Sequence, residues 1–180
     1  VASSFTDEEG TLIHGGASME VRNKVRGVAH DRDVAKITLV GVPDRPGIAA
    51  TIFAPLAKAG LSVDTIVQNA GASKIADLTF TVAKGDLAKA MALVQPVAKE
   101  IGARECLSDS NLGKVSIVGT GIQNAPGYAA RMFETLYQEG INIEMITTSE
   151  IRITCVIAED RLQDAVRALH RAFELEKPEE

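Results

Sequence analysis

Ile37-Thr38-Leu39-Val40-Gly41 is followed, after a short loop, by Pro46-Gly47-Ile48-Ala49-Ala50. The same succession returns as Val115-Ser116-Ile117-Val118-Gly119 and Pro126-Gly127-Tyr128-Ala129-Ala130. Phe53, Leu56 and Gly60 are matched by Phe133, Leu136 and Gly140, and Leu61-Ser62-Val63-Asp64 by Ile141-Asn142-Ile143-Glu144. Only the loop before Pro-Gly differs, being two residues longer in the second copy. Chance apolar matches do not keep Pro-Gly-x-Ala-Ala and a later Gly in register, so the chain is a duplication of one unit.

Each copy reads strand, helix, strand, strand, helix. In the first, residues 36–42 are rich in β-formers, and Pro46 stands where a helix begins, since its missing N–H costs nothing in a first turn. Ile48, Ile52, Phe53 and Leu56 recur at helical spacing and predict a buried stripe. Gly60 stops that helix. Strands follow over 61–68 and 75–83, joined by the turn-like Asn69-Ala70-Gly71-Ala72-Ser73. Asp86 suits the cap of a helix that bears Leu87, Met91, Val94 and Ile101 and that Pro96 should kink or end early. Residues 103–108 make a short closing strand. The second copy runs over 114–119, 127–139, 141–148, 150–158 and 160–174, its last helix carrying Leu162, Val166, Leu169 and Phe173.

The second copy has no closing strand of its own, because Glu174-Leu175-Glu176-Lys177-Pro178-Glu179-Glu180 is a poor one. Residues 23–30, including Lys24-Val25-Arg26-Gly27-Val28-Ala29-His30, form a strand with no place in the first copy. The economical solution inserts the first unit into the second, with residues 23–30 completing the second sheet and covering an edge that would otherwise invite aggregation. The expected fold is α+β: two ferredoxin-like βαββαβ units, antiparallel sheets with helices on one face. The expected domains are 36–108, and 19–35 with 109–175, after a leading segment 1–18.

The 180 residues are 46% hydrophobic and 24% charged, with a formal net charge of −5. That is an ordinary globular mixture. Aromatics are 4% and Trp is absent, which makes the core aliphatic. The acidic balance lacks the basic footprint of a nucleic-acid binder. No apolar run approaches the roughly 20 residues of a membrane span, and no signal peptide is evident. Cys106 and Cys155 have no partners at metal-ligand spacing and read as small hydrophobes in a reducing, cytoplasmic setting.

Few residues suggest chemistry. Gly119-Thr120-Gly121 after a strand begins a dinucleotide fingerprint, but Asn124 replaces the third Gly, and loop flexibility explains the glycines. His14, His30 and His170 are isolated, so no metal site is expected. No nucleophile elbow or phosphate-cradling loop with Lys is present, so no catalytic residue is assigned.

Asp44-Arg45-Pro46-Gly47-Ile48-Ala49 is a loop feeding a helix N-terminus. Unpaired N–H groups there favour an anion such as a carboxylate. Asp44 could receive an ammonium beside it, and a zwitterionic amino acid offers both groups. Equally, Asp44 could cap the helix. Gln68 is polar within an apolar run, and its amide can donate and accept, suiting a ligand hydroxyl or an exposed strand position. Asn124-Ala125-Pro126-Gly127 and Thr148 occupy the corresponding places in the second copy, so the copies are not equivalent sites.

A duplicated βαββαβ with Asp-x-Pro-Gly and Gln-Asn after the second strand resembles paired ACT domains. Val67-Gln68-Asn69, Ile141-Asn142-Ile143-Glu144 and Thr148-Ser149-Glu150-Ile151-Arg152-Ile153 resemble the regulatory region of aspartate kinase over residues 19–175. Ser3-Ser4-Phe5 and Gly10-Thr11-Leu12-Ile13 look like the end of that enzyme's kinase domain, and Met19 lies near the start of separately translated regulatory β subunits. The resemblance implies a non-catalytic module, acting on a kinase domain or α subunit that phosphorylates aspartate with ATP for lysine, threonine, methionine and isoleucine synthesis. It implies feedback inhibition by threonine, and in some members lysine, bound where ACT domains of two chains meet in a homodimer. By the same resemblance, Asp44, Gly47, Ile48, Ala49 and Gln68 would hold the effector, closed by Asn142 and Ile143 of the partner subunit. A second seam would set Ser62, Val63 and Asp64 against Asn124, Ala125 and Gly127 of the partner subunit. Asn69-Ala70-Gly71-Ala72 departs from the Ser-rich stretch of the family.

Two other classes remain open from the residues alone. An ACT-type sensing module of another protein, such as a transcriptional regulator, would need a DNA-binding segment, and residues 1–35 show no such pattern. A ferredoxin-like acyl-phosphatase would need an anion loop with Arg and a water-orienting Asn, for which Arg45 and Asn142 are the candidates.

Overall fold

The computed structural model describes residues 24–70, 74–122 and 124–176. The leading segment 1–18, Met19, residue 23 and Gly71 lie outside the described residues. The elements are β1 (Gly27–Pro43), α1 (Ile48–Lys58), β2 (Ile66–Ala70), β3 (Ile75–Val82), α2 (Leu87–Ile101), β4 (Glu105–Val118), α3 (Tyr128–Gln138), β5 (Met145–Thr148), β6 (Arg152–Ala158) and α4 (Leu162–Ala172). They build one antiparallel sheet in the order β2-β3-β1-β4-β6-β5.

Two predicted pairs of strands merge. Residues 27–30 of the first predicted strand and 36–42 belong to the 17-residue β1, and 105–108 and 114–118 to the 14-residue β4. The leading half of β1 serves the second unit, with Gly27 opposite Val118 and Asp31 opposite Lys114. Its trailing half serves the first, with Ala35 opposite Val82 and Val40 opposite Glu105. The first unit is therefore inserted into the second, as the missing final strand required. A change of register between Asp31 and Lys36 marks the crossing. There the Asp33 N–H donates to Asp31 Oδ1 at 2.8 Å, and the Asn111 N–H donates to Asp109 Oδ1 at 2.9 Å on β4. Such turns let the backbone bulge without losing its polar partners.

The helices lie on one face. Ile37, Leu39, Leu78 and Phe80 meet Ile52, Leu56 and Val94 in the first core; Val115, Ile117, Ile153 and Cys155 meet Met132, Leu136, Leu169 and Phe173 in the second. The predicted helix stripes are buried or half-buried throughout. On the other face, Thr38 and Thr79 pair their hydroxyls at 3.0 Å, and Ser116 and Thr154 do so at 2.7 Å. The duplication is thus visible in the cross-strand pairs as well.

Several local expectations are corrected. The strands expected at 61–68 and 141–148 begin only at Ile66 and Met145, because the preceding residues bridge from the helices to the sheet. Pro46 does not open α1. The Ile48 N–H reaches the Arg45 carbonyl at 3.4 Å and Gly47 has φ 92°, a type II turn with Pro at its second position and Gly at its third. Gly127 repeats this at φ 98°. Asp86 makes no side-chain cap, since a 3₁₀ turn over Lys84–Asp86 already winds its backbone at φ −91°, ψ −9°. Pro96 does not end α2, which continues to Ile101; it lies on the exposed side, where water can take the carbonyl it leaves unpaired. Gly119 is a matter of close approach, because a side chain there would run into the backbone of Lys24 and Val25.

Candidate functional site

The type II turn sets the chemistry of the first candidate loop. Gly47 is the N-cap of α1 and makes no side-chain cap. Among the described residues, the N–H groups of Gly47, Ala49 and Ala50 meet no backbone acceptor, while that of Thr51 meets the Gly47 carbonyl at 2.9 Å. The helix therefore begins with free donors pointing out of its exposed end. Asp44 is exposed, its own N–H donates to the Lys74 carbonyl at 2.9 Å, and its carboxylate does not cap α1. Of the two readings of Asp44, capping is excluded.

Gln68 lies opposite Leu78, which lies opposite Leu39, so it shares the end of the sheet toward which β1 delivers Asp44. Asp44, Gly47, Ala49 and Gln68 are all exposed, whereas the Ile48 side chain belongs to the core. Only the backbone of Ile48 is available to a ligand.

Asn142 and Ile143 are elsewhere. They precede β5, where Met145 lies opposite Val156, Val156 opposite Lys114, and Lys114 opposite Asp31. The Glu144 carboxylate that Asn142 touches reaches no further along β1 than Lys36, and from Lys36 to Pro43 is seven residues. At about 3.3 Å per residue that is roughly 20–25 Å. In addition β2 and β5 are the two opposite edges of the sheet. One chain cannot bring Asn142 to Asp44, and neither can it bring Asn142 to Arg45. The acyl-phosphatase pair is thereby removed.

The second candidate set divides in the same way. Ser62 and Asp64 line a cavity of about 420 Å³ on the helix-free face, together with Asp86, Lys114, Arg152 and Thr154. Asn124, Ala125 and Gly127 stand in the loop before α3, at the outer end of the second unit.

Two ion pairs that motif analysis missed tie the repeats together. Lys114 on β4 donates to the Asp64 carboxylate, and Lys36 on β1 donates to Glu144 Oε2 at 2.9 Å. The hydrogen bond from Lys114 holds the Asp64 carboxyl below the usual carboxylate range, against the desolvation that would raise it. Lys36 does the same for Glu144, with a further contribution from Asn142. On the pseudo-two-fold axis, Lys84 donates to Glu159 Oε2 at 2.7 Å. The signal was present: Lys36 and Lys114 open the matching predicted strands, and Asp64 and Glu144 end matching segments.

Neither cysteine is activated. Burial raises both thiols above their ordinary value, Cys155 to about 12. Among the described residues no three His, Cys, Asp or Glu side chains converge on a point that could hold a metal, and no helix is long and apolar enough to cross a membrane.

Models of the ACT domain match residues 36–98 and 115–173. An aspartate kinase of Stutzerimonas stutzeri is 49% identical over 180 residues, covering 99% of this chain. This chain spans 43% of that relative's length. The crystal structure of the regulatory subunit of aspartate kinase from Thermus thermophilus is 43% identical with a TM-score of 0.79, over 83% of this chain and 99% of that one. A crystal structure of aspartokinase alpha and beta subunits is 42% identical with a TM-score of 0.78, over 84% of this chain and 99% of that one. Two ACT domains, one inserted in the other, that match a regulatory subunit over almost its whole length show that this chain belongs to the aspartokinase family, as a regulatory part of the enzyme.

Proposed function

We propose that the chain is the feedback sensor of an aspartate kinase: it binds L-threonine, with L-lysine as the further candidate effector, where two copies meet side by side. The observation that carries this reading is the separation of the two half-sites. Asp44, the Gly47, Ile48 and Ala49 backbone and Gln68 lie by edge strand β2; Asn142 and Ile143 lie by edge strand β5. Setting β2 of one copy against β5 of another would join them and cover Ile66 and Ile146, large apolar side chains that are 53% and 45% exposed. A two-fold axis makes both seams at once. The free amides of α1 suit the effector carboxylate, Asp44 its ammonium, and Gln68 a side-chain hydroxyl.

The second seam, Ser62, Val63 and Asp64 against Asn124, Ala125 and Gly127, is the place for lysine. We read the units as residues 36–108, and 19–35 with 109–175, after a kinase-derived segment 1–18. The crystallised alpha and beta aspartokinase subunits point to an α subunit or kinase domain as the cytoplasmic partner. Aspartate phosphorylation would belong to that partner, and this chain would inhibit it for lysine and threonine synthesis.

Calorimetry with L-threonine, L-lysine and L-methionine, run beside sedimentation, tests the reading. Threonine should bind and tighten the dimer, since it recognises only the assembled seam. A chain that takes up none of the three amino acids, or that stays monomeric at high concentration under saturating threonine, overturns it.

A further inference from the structure

Glu144 sits where two hydrogen bonds meet. One carboxylate oxygen accepts from Lys36 Nζ at 2.9 Å, the other from Asn142 Nδ2 at 3.2 Å. Lys36 is fixed on β1 of the first repeat, opposite Thr81 and Asp109, and its side chain is 19% exposed. The Glu144 backbone is held as well, its N–H donating to the Val156 carbonyl at 2.8 Å. A rigid cation thus aims a carboxylate, and the carboxylate aims an amide.

We propose that Lys36 and Glu144 are positioning residues for the effector: through their ion pair they hold the Asn142 side chain with its carbonyl oxygen turned toward the seat. This rests on the amino-acid reading above. A primary amide has one acceptor end and one donor end. With Nδ2 committed to a charged acceptor, Oδ1 is the end left for an incoming ammonium or hydroxyl. A donor arriving at Oδ1 polarises the amide and strengthens its bond to Glu144. Without the pair, the amide is free to turn its donor end to the ligand's ammonium, which repels it.

The pseudo-symmetric position shows that this arrangement is specific. Lys114 and Asp64 repeat the ion pair, but Ser62, which stands where Asn142 stands, makes no bond to Asp64; Thr65 Oγ1 donates at 3.4 Å to the oxygen that Lys114 already takes. At the second seam the paired carboxylate, Asp64, is itself the candidate contact, whereas on the first the paired carboxylate, Glu144, holds the amide of one, Asn142. The Lys36–Glu144 bond connects the half-site at Asn142 with the strand that ends at Pro43, just before Asp44, the half-site the chain gives to the other seam.

The experiment compares Lys36→Met, Lys36→Arg, Glu144→Gln and Lys84→Met in the 180-residue chain, with thermal melts and sedimentation to check folding and assembly. Lys84→Met breaks the Lys84–Glu159 pair, an inter-repeat ion pair that does not touch Asn142. Loss of a bond that orients a charge-assisted contact should weaken threonine roughly fivefold to twentyfold in Lys36→Met and Glu144→Gln. Lys36→Arg should recover most of the affinity, and Lys84→Met should keep it. The Asn142 side-chain amide signal in nitrogen-15 spectra of the ligand-free chain should move in Lys36→Met and return in Lys36→Arg. Unchanged threonine affinity in a folded Lys36→Met, an equal loss in Lys84→Met, or an Asn142 signal indifferent to residue 36 each overturns the proposal. If the unmodified chain binds no amino acid, the effector reading itself fails, and the amide signal then reports on the geometry alone.

Discussion

Lys114 of the second repeat reaches into the first to pair with Asp64, and Lys36 returns the same contact from the first repeat to Glu144. Each repeat therefore donates its lysine and receives on its carboxylate. Pairs of this kind contribute modestly one by one, about 0.5–1 kcal/mol when partly exposed. Their value lies in fixing how the two units sit about the shared strands β1 and β4.

Asp44 and Asp64 should separate binding from stability. Asp44→Ala removes the proposed ammonium partner and should weaken threonine about tenfold to a hundredfold, the equivalent of a charge-assisted hydrogen bond. It should leave the melting temperature alone, because Asp44 caps nothing. Asp64→Ala should do the reverse. It leaves Lys114, whose side chain is 12% exposed, without its carboxylate, and should lower the melting temperature by roughly 2–4 °C, about 1 kcal/mol. Calorimetry and thermal melts on both variants decide; wild-type affinity in a folded Asp44→Ala would misplace the first half-site.

Acid should loosen the inter-repeat contacts. Asp64 and Glu144 are held below their ordinary values by lysine partners, so the folded state prefers them deprotonated. A carboxyl depressed in this way stabilises the fold above its unfolded pKa, and that contribution is lost as pH falls through the folded one. Stability should be level above about pH 5 and decline below about pH 4, the ordinary carboxylate range. The double variant Lys36→Met/Lys114→Met should show a shallower decline on the acid side. An equally steep one would assign acid sensitivity to other groups.

The Cys155 thiol should be silent until the chain unfolds. Cys155 is fully buried and its thiol is pushed up to about 12; Cys106 is half-buried and also raised. Thiolate is the reacting form. At pH 8 a disulfide reagent should label Cys155 only in denaturant, with Cys106 reacting slowly in the native chain. Rapid labelling of two thiols in buffer would contradict the packing.

Gly119→Ala should be costly and Gly27→Ala mild. A Cβ on Gly119 collides with the Lys24 carbonyl and the Val25 backbone, whereas one on Gly27 meets nothing within 4 Å. Forcing backbone apart costs about 1–3 kcal/mol. Denaturant titration of the two variants should show midpoints well apart, and equal midpoints would mean that residues 24–25 do not pack there.

Much of this protein is written locally. Pro-Gly-x-Ala-Ala, the helical stripes from Ile48, Leu87 and Leu162, and the later Gly60 and Gly140 are short-range signals, and they located α1 to α4 and the duplication. The poor strand-forming end after Phe173 even forced the insertion, because a sheet edge needs a partner and only residues 23–30 could supply it. What stayed hidden depends on contacts distant in sequence. Whether 27–30 and 36–42 are two strands or one is settled by pairing with β4, which runs from Gly27 to Val40 through the register changes at Asp31–Lys36, since the sequence between them punctuates nothing. That Lys36 meets Glu144 rather than Asp64, its own repeat's equivalent, follows from the pseudo-two-fold crossing of β1 and β4, which carries each lysine into the other unit. And although Asp44 and Asn142 are both legible as candidate contacts, only the sheet order, with β2 and β5 at opposite edges, shows that they lie far apart in one chain, because strand order is set by pairings between residues distant in sequence.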